Sequence, residues 1–450
     1  MNILSKFRSS QLRRNVTSGA LSASASFFLS LIKYPVFLWF MSYELYGVWL
    51  VLTTVLSFAQ LGLVSVSVGI VKLVAEEYGK NNLRDVEKYV ATALAALLTT
   101  GFFLFALSFV FRYEIVKLLG ITGPNTDLGI TYLPLIALLS IYIFVYEIIN
   151  ATLSGLGRID IANYSQTMIQ AIPVIIAIPL FLLHIPSFIN MLVAHFAAYL
   201  VITITNVRRI NSIVELKIFK TSNISLEHFT KLFKFSGAML FSSLVSLLFF
   251  PVSKIVISRQ LGVHVVPLYE VAYRASYQVV TVFSTGLRAL VPEISRLSSI
   301  TKEETSQIIK NLNSKAYLIS IIGGTITCAV VILLADIIFR SWLGKSFDRE
   351  IVNCFRIMMG GTLVSIVMMV PYFNLIGRGH INTIVTYHCI SPIVSILAIF
   401  ALLISYGITL NGVAIANSFG IMIGALFLAY KTFISYHKTP VNKQFAPIIE

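Results

Sequence analysis

The sequence predicts an all-α integral membrane protein of about twelve transmembrane helices, arranged as two pseudo-symmetric six-helix bundles around a central cavity. Three observations predict it. Apolar residues fill 57% of the 450 positions and charged ones only 12%, with a mean hydropathy of +0.86, whereas soluble domains carry about a quarter charged residues. The apolar residues come in runs of roughly 20 or more, the length that crosses about 30 Å of hydrocarbon as a helix. The two halves also resemble each other at a shift of about 220 residues, a symmetry common in transporters. The run length excludes an outer-membrane barrel, whose segments alternate about every second residue.

Apolar runs between polar breaks place the helices near 16–40, 45–71, 89–111, 131–153, 164–183 and 186–207, then 232–258, 265–290, 312–339, 351–376, 381–405 and 408–430. The expected organisation is an N-terminal six-helix bundle over 1–207, a basic cytoplasmic connector over 208–231 and a C-terminal bundle with a short tail over 232–450. Lys6, Arg8, Arg13 and Arg14 precede the first run as in a signal peptide, but that run is too long and many follow it. Counted by alternate loops, roughly 22 Lys and Arg fall on the side of the N-terminus and roughly 6 on the other, so both ends are expected in the cytoplasm. The formal net charge of +15 is therefore read as topology, with no nucleic-acid partner. Cys328, Cys354 and Cys389 are odd in number and sit in or beside apolar segments, so neither a disulfide nor a metal is expected.

The internal repeat is carried by Ser18-Gly19-Ala20 and Ser236-Gly237-Ala238, by Gly157-Arg158 and Gly377-Arg378, and by Pro173 and Pro392. An even number of spans per half makes the repeats parallel, about an axis along the membrane normal.

An ionisable side chain within the hydrocarbon costs about 2.5–3.5 kcal/mol on insertion scales and needs a partner, a wet cavity or a route to the interface. Lys33 in the first helix and Lys254 in the seventh occupy equivalent helices of the two halves. Ser22, Ser26, Ser30 and Lys33 share a helical face, and Ser243, Ser246 and Lys254 are compatibly spaced. In the eighth helix Glu270, Arg274, Gln278, Thr281, Thr285 and Arg288 follow at steps of 4, 4, 3, 4 and 3, with Tyr269, Tyr273 and Tyr277 beside them. Thr53, Ser57, Gln60 and Ser67 form a milder stripe in the second. These four helices are the candidates to line the cavity. The bland readings are snorkelling of Lys33 and Lys254 to the interface, pairing of Arg274 with Glu270, and an interfacial Arg288.

Glu147, with Asn150 and Ser154 at steps of 3 and 4, could relay protons or bind a coupling cation, against a structural hydrogen-bonding role. His195 and His388 read as packing imidazoles, and Gly420 with Gly424 as a packing step within a bundle. Gly344-Lys345-Ser346 lacks the leading glycine of a phosphate-binding loop, and neither HExxH nor GxSxG occurs. Nothing points to bond-making chemistry or to a cofactor. A driving force must come from an ion gradient, H⁺ or Na⁺, or from the cargo's own gradient.

The Ser-Gly-Ala opening, Tyr46-Gly47-Val48-Trp49, Leu61-Gly62-Leu63, the charged connector from Lys72 to Lys88 and Gly155-Leu156-Gly157-Arg158 together resemble the O-antigen flippases of the multidrug/oligosaccharidyl-lipid/polysaccharide exporter superfamily. The resemblance implies a bacterial inner-membrane protein whose cargo is an oligosaccharide on undecaprenyl pyrophosphate, moved from the cytoplasmic to the periplasmic leaflet. It implies as neighbours a polysaccharide polymerase and a chain-length regulator. Lys33, Lys254 and Arg274 are then expected to bind the anionic head group. Glu270, Gln278, Tyr273, Tyr277, Gln60 and Arg288 are expected to line the cavity, since Lys and Arg suit phosphate and Tyr suits a sugar. A cation-coupled multidrug antiporter of the same fold is the alternative, although it calls for carboxylates where Lys33 and Lys254 stand. A membrane polysaccharide polymerase or glycosyltransferase is a third reading, disfavoured by short loops with few candidate catalytic residues.

Overall fold

The computed structural model describes residues 3–59, 63–185, 187–216, 220–288, 290–298, 303–405 and 407–438, and among them it is helical with no strand. In chain order the helices are α1 (Ile3–Phe40), α2 (Tyr43–Leu52), α3 (Thr54–Ala59), α4 (Leu63–Gly79), α5 (Leu83–Val110), α6 (Arg112–Leu118), α7 (Thr126–Gly155), α8 (Ile159–Leu182) and α9 (Ser187–Ile213). They continue as α10 (Leu226–Leu261), α11 (Val266–Leu287), α12 (Leu290–Ser298), α13 (Glu303–Leu343), α14 (Arg349–Gly377), α15 (Ile381–Ser405) and α16 (Leu410–Lys438). Helix is what a bilayer demands, because it satisfies every backbone N–H and C=O within one segment. Among the described residues, the expected spans coincide with helices long and apolar enough to cross a membrane except for the second, seventh and eighth. Among the described residues, nine helices are long and apolar enough to cross a membrane.

The expected second span is not one helix. It is broken after α2, where the Thr53 and Thr54 hydroxyls turn back to the carbonyls of Leu50 and Val51 at 3.0 and 2.6 Å, a bonding pattern that bends helices. Gln60 and the Leu61-Gly62 pair lie outside the described residues.

The chain divides into two compact units, Met1–Pro267 with Trp342–Phe347, and Leu268–Ser341 with Asp348–Glu450. In the first, α7 packs against α4, α5, α8 and α9, while α1 lies on α8 and α10 on α4 and α5. Val66, Ile70, Val74, Val90, Ile148 and Ile149 are wholly buried in this core. Polar groups dock the start of α1. The Asn15 side chain donates to Gly157 O at 3.2 Å and accepts from Asp160 N at 3.0 Å, Asn163 donates to Ser18 at 3.1 Å, and Ser22 pairs with Thr167 at 2.7 Å. The Ser-Gly-Ala opening therefore seats α1 against α8. In the second unit α16 packs on α14 and α15, and α12 on α14. Gly420 and Gly424 face Ser395 and Ser391 of α15, where an added Cβ would stand within 1.9 and 1.8 Å of the hydroxyl oxygens.

The repeat is visible in each unit taken by itself. Gly155 ends α7 where a Cβ would come within 2.8 Å of Val74 and 3.0 Å of the Val71 carbonyl oxygen. Gly377 ends α14 where a Cβ would come within 3.0 Å of Ile294 and of the Val291 carbonyl oxygen. Gly157 and Gly379 follow with φ of +80° and +78°, the left-handed turn that glycine adopts without a steric penalty. The geometry thus pairs Gly155 with Gly377 and Gly157 with Gly379. The pairing of Gly157-Arg158 with Gly377-Arg378 is two residues out of register, because matching letters selected a Gly-Arg pair while the fold conserves a helix end.

Candidate functional site

The stripe on α11 resolves into a buried anchor and an exposed face. Glu270 is buried and Arg274 Nε donates to its Oε1 at 2.9 Å, while the Arg274 side chain stays 45% exposed. The i,i+4 pair thus holds the guanidinium on the open side of the helix. Tyr269, Tyr273 and Tyr277 form a ladder, with successive ring centroids 6.1 Å apart and planes 14° from parallel. Its buried end is fixed by Asn417 Nδ2, which donates to the Tyr269 hydroxyl at 2.5 Å; its last ring, Tyr277, is 52% exposed. Gln278 is half-buried, and Arg288, in the turn after α11, is exposed. The Thr281 and Thr285 hydroxyls donate to the carbonyls of Tyr277 and Thr281 at 3.0 and 2.8 Å.

The predicted lysines both lie in the first unit. Lys254 in α10 is 6% exposed, with its ammonium 4.4 Å from the Phe250 ring centroid. That burial is the opposite of snorkelling to the interface. Lys33 in α1 is half-buried, its ammonium 5.9 Å from the Phe37 ring centroid. His195 donates from Nδ1 to the Met191 carbonyl at 2.7 Å and packs its ring 5.5 Å from Trp49. Ser22, at the start of the α1 stripe, faces α8, and the side chains of Ser243 and Ser246 lie outside those described.

Glu147 in α7 is half-buried, and the ring of its chain neighbour Tyr146 has its centroid 5.5 Å from that of Tyr199. Asn150 on the same face has a buried side-chain oxygen with no hydrogen-bond partner among the described residues. Cys328 and Cys354 are buried and Cys389 half-buried, all as thiols.

Sequence reasoning missed one group. Tyr372 of α14 and His388 of α15 share a hydrogen bond at 3.1 Å between the hydroxyl and Nε2, and Tyr387 packs beside them with its ring centroid 6.0 Å from that of Tyr372. Tyr372 also packs against the apolar cluster that holds Leu287 at the end of α11. No spacing along the chain could signal this, since the partners come from two different helices.

Residues 42–187 match the family model MatE. A Shigella flexneri protein provisionally named an O-antigen transporter is 20% identical over 372 residues, 81% of this chain and 84% of that one. Among solved structures, an inward-facing multidrug resistance MATE family transporter of the MOP superfamily superposes with a TM-score of 0.75 at 14% identity, covering 92% of this chain and 96% of the other. The lipid II flippase MurJ, in an inward closed conformation, superposes with a TM-score of 0.73 at 17% identity, covering 95% and 94%. The chain is accordingly a multi-pass membrane protein with the fold of these transporters and flippases.

Proposed function

We propose that the protein is a flippase that moves an undecaprenyl-pyrophosphate-linked oligosaccharide, an O-antigen unit or a similar repeat, from the cytoplasmic to the periplasmic leaflet of a bacterial inner membrane. The observation that carries this reading is Arg274, a guanidinium held by buried Glu270 on the exposed side of α11, where the sequence places its eighth span. Exposed to lipid, such a charge costs about 2.5–3.5 kcal/mol or more; facing water, it is a ready partner for a phosphate. Lys33, in a helix apolar enough to cross a membrane, and Lys254, buried in α10, add two further cations, and the names of the O-antigen transporter relative and the lipid II flippase neighbour support the same cargo class.

In this reading Lys33, Lys254 and Arg274 bind the pyrophosphate, the tail stays in lipid, and the repeated halves 1–207 and 232–450 alternate in access with both termini cytoplasmic. A polymerase and a chain-length regulator would act on the delivered unit. The test is where the lipid-linked oligosaccharide resides on depletion, read with a periplasm-restricted label on intact spheroplasts. Accumulation in the inner leaflet, relieved by re-expression but not by the triple Gln variant of Lys33, Lys254 and Arg274, is the expected result. Unchanged outward exposure would overturn it.

The MatE match and the superposition on a multidrug transporter favour a second reading, a cation-coupled drug antiporter with Glu147 as its coupling group. Efflux of cationic dyes from a sensitive strain, lost in Glu147→Gln, would select that reading instead.

A further inference from the structure

The exposed side of α11 poses a physical question. Arg274, Tyr277, Thr285 and Arg288 are exposed and Gln278 and Thr281 half-buried on α11 and the turn after it, and α11 is not among the nine described helices long and apolar enough to cross a membrane. Hydrocarbon does not tolerate such a face, so it borders water. Its chemistry is specific. The one carboxylate of α11, Glu270, is buried and bonded to Arg274. What remains are phenols, amide and hydroxyl groups, and two guanidiniums, a surface suited to a neutral or anionic, hydroxyl-rich ligand and ill-suited to an organic cation.

The tyrosine ladder gives this face a direction. Tyr269 is fixed in the core by Asn417, Tyr273 is half-buried, and Tyr277 stacks on Tyr273 while 52% of it stays exposed. A ring braced on one side and open elsewhere is what stacks on the apolar C–H face of a pyranose. From Tyr277 to Arg288 the helix and its turn rise about 16 Å. Alongside stand Tyr372 and His388, joined by their hydrogen bond, with Tyr372 packed against the apolar cluster that holds Leu287 at the end of α11.

We propose that this face of the second unit is a glycan-binding track, in which Tyr277 stacks on a sugar ring while the Tyr372–His388 pair and Gln278 hydrogen-bond sugar hydroxyls. It rests on the flippase reading above and adds to it a subsite for the oligosaccharide, separate from the cations that meet the pyrophosphate. The phenol–imidazole pair can present a donor or an acceptor, as a polyol requires.

The experiment measures binding of two probes to the purified full chain in detergent: bare undecaprenyl pyrophosphate and the same lipid carrying an oligosaccharide repeat unit. The readout is the ratio of the two affinities. The wild-type protein is expected to favour the glycosylated lipid by about five- to tenfold, the scale of one aromatic stacking contact. Tyr277→Ala should bring the ratio to near one, Tyr277→Phe should retain most of it, and Tyr372→Phe should lower it in part. A wild-type ratio near one, or a ratio unchanged by Tyr277→Ala, would overturn the track while leaving head-group binding intact. Failure of the wild type to bind either probe would remove the flippase reading itself.

Discussion

Gly47 shows how closely the first unit is assembled. It lies in α2 beneath the turn that joins α10 to α11, and a Cβ placed on it would stand 1.9 Å from the Val263 carbonyl oxygen, 2.7 Å from its carbon and 3.3 Å from Pro267. An ordinary carbon-to-oxygen contact is about 3.3 Å, so Gly47→Ala forces helix and turn apart by about 1.4 Å. Backbone is what must move, so no rotamer change relieves the clash. Overpacking of this kind costs about 1–3 kcal/mol, with the backbone-on-backbone case at the upper end. Replacing a helical glycine by alanine returns about 1 kcal/mol. The net expectation is a loss of about 2 kcal/mol. Gly79→Ala is the control, since a Cβ there meets nothing within 4 Å. Thermal unfolding of the two purified variants in one detergent, followed by tryptophan fluorescence, measures the difference. If Gly47→Ala melts together with Gly79→Ala, α2 does not rest on the Val263 carbonyl and the close approach is wrong.

The α15–α16 contact makes a paired prediction. Gly420→Ala should lower the melting temperature more than Gly424→Ala, because a Cβ at 420 meets the Ser391 carbonyl oxygen at 2.5 Å and Ser395 N at 2.7 Å, whereas at 424 it meets first the Ser391 hydroxyl, which can rotate away. Tyr269→Phe should cost about 1–3 kcal/mol in the same assay by stranding the buried Asn417 donor, and Asn417→Leu added to it should recover part of the loss. Asp336 accepts from Arg356 of the neighbouring helix at 2.6 Å with both side chains about one-third exposed. In a double-mutant cycle, Asp336→Asn with Arg356→Gln should therefore be less destabilising than the two single losses added together.

The fold class was legible because a bilayer leaves few choices: runs of about 20 apolar residues must be helices. The same rule made the stripe on α11 conspicuous, since polar residues at helical spacing in such a run are costly unless something repays them. Pairing of Glu270 with Arg274 was legible as well, because i,i+4 neighbours meet on any helix. The break in the second span was not. It depends on threonine hydroxyls competing for backbone carbonyls, a local effect that hydropathy does not register. The Tyr372–His388 pair and the Asp336–Arg356 pair were invisible for another reason, since their partners come from different helices.

By itself, then, the amino-acid sequence determined that this chain crosses a membrane as many helices, and which helices carry charge. Both follow from the period and polarity of one segment at a time, properties that are additive along the chain. The tertiary structure alone decided that Lys254 is buried against Phe250, that Ser22 faces α8, that the repeat aligns on Gly155 and Gly377, and that Tyr277 ends its ladder exposed. Those are matters of which helix lies against which face, settled by packing among residues far apart in the chain.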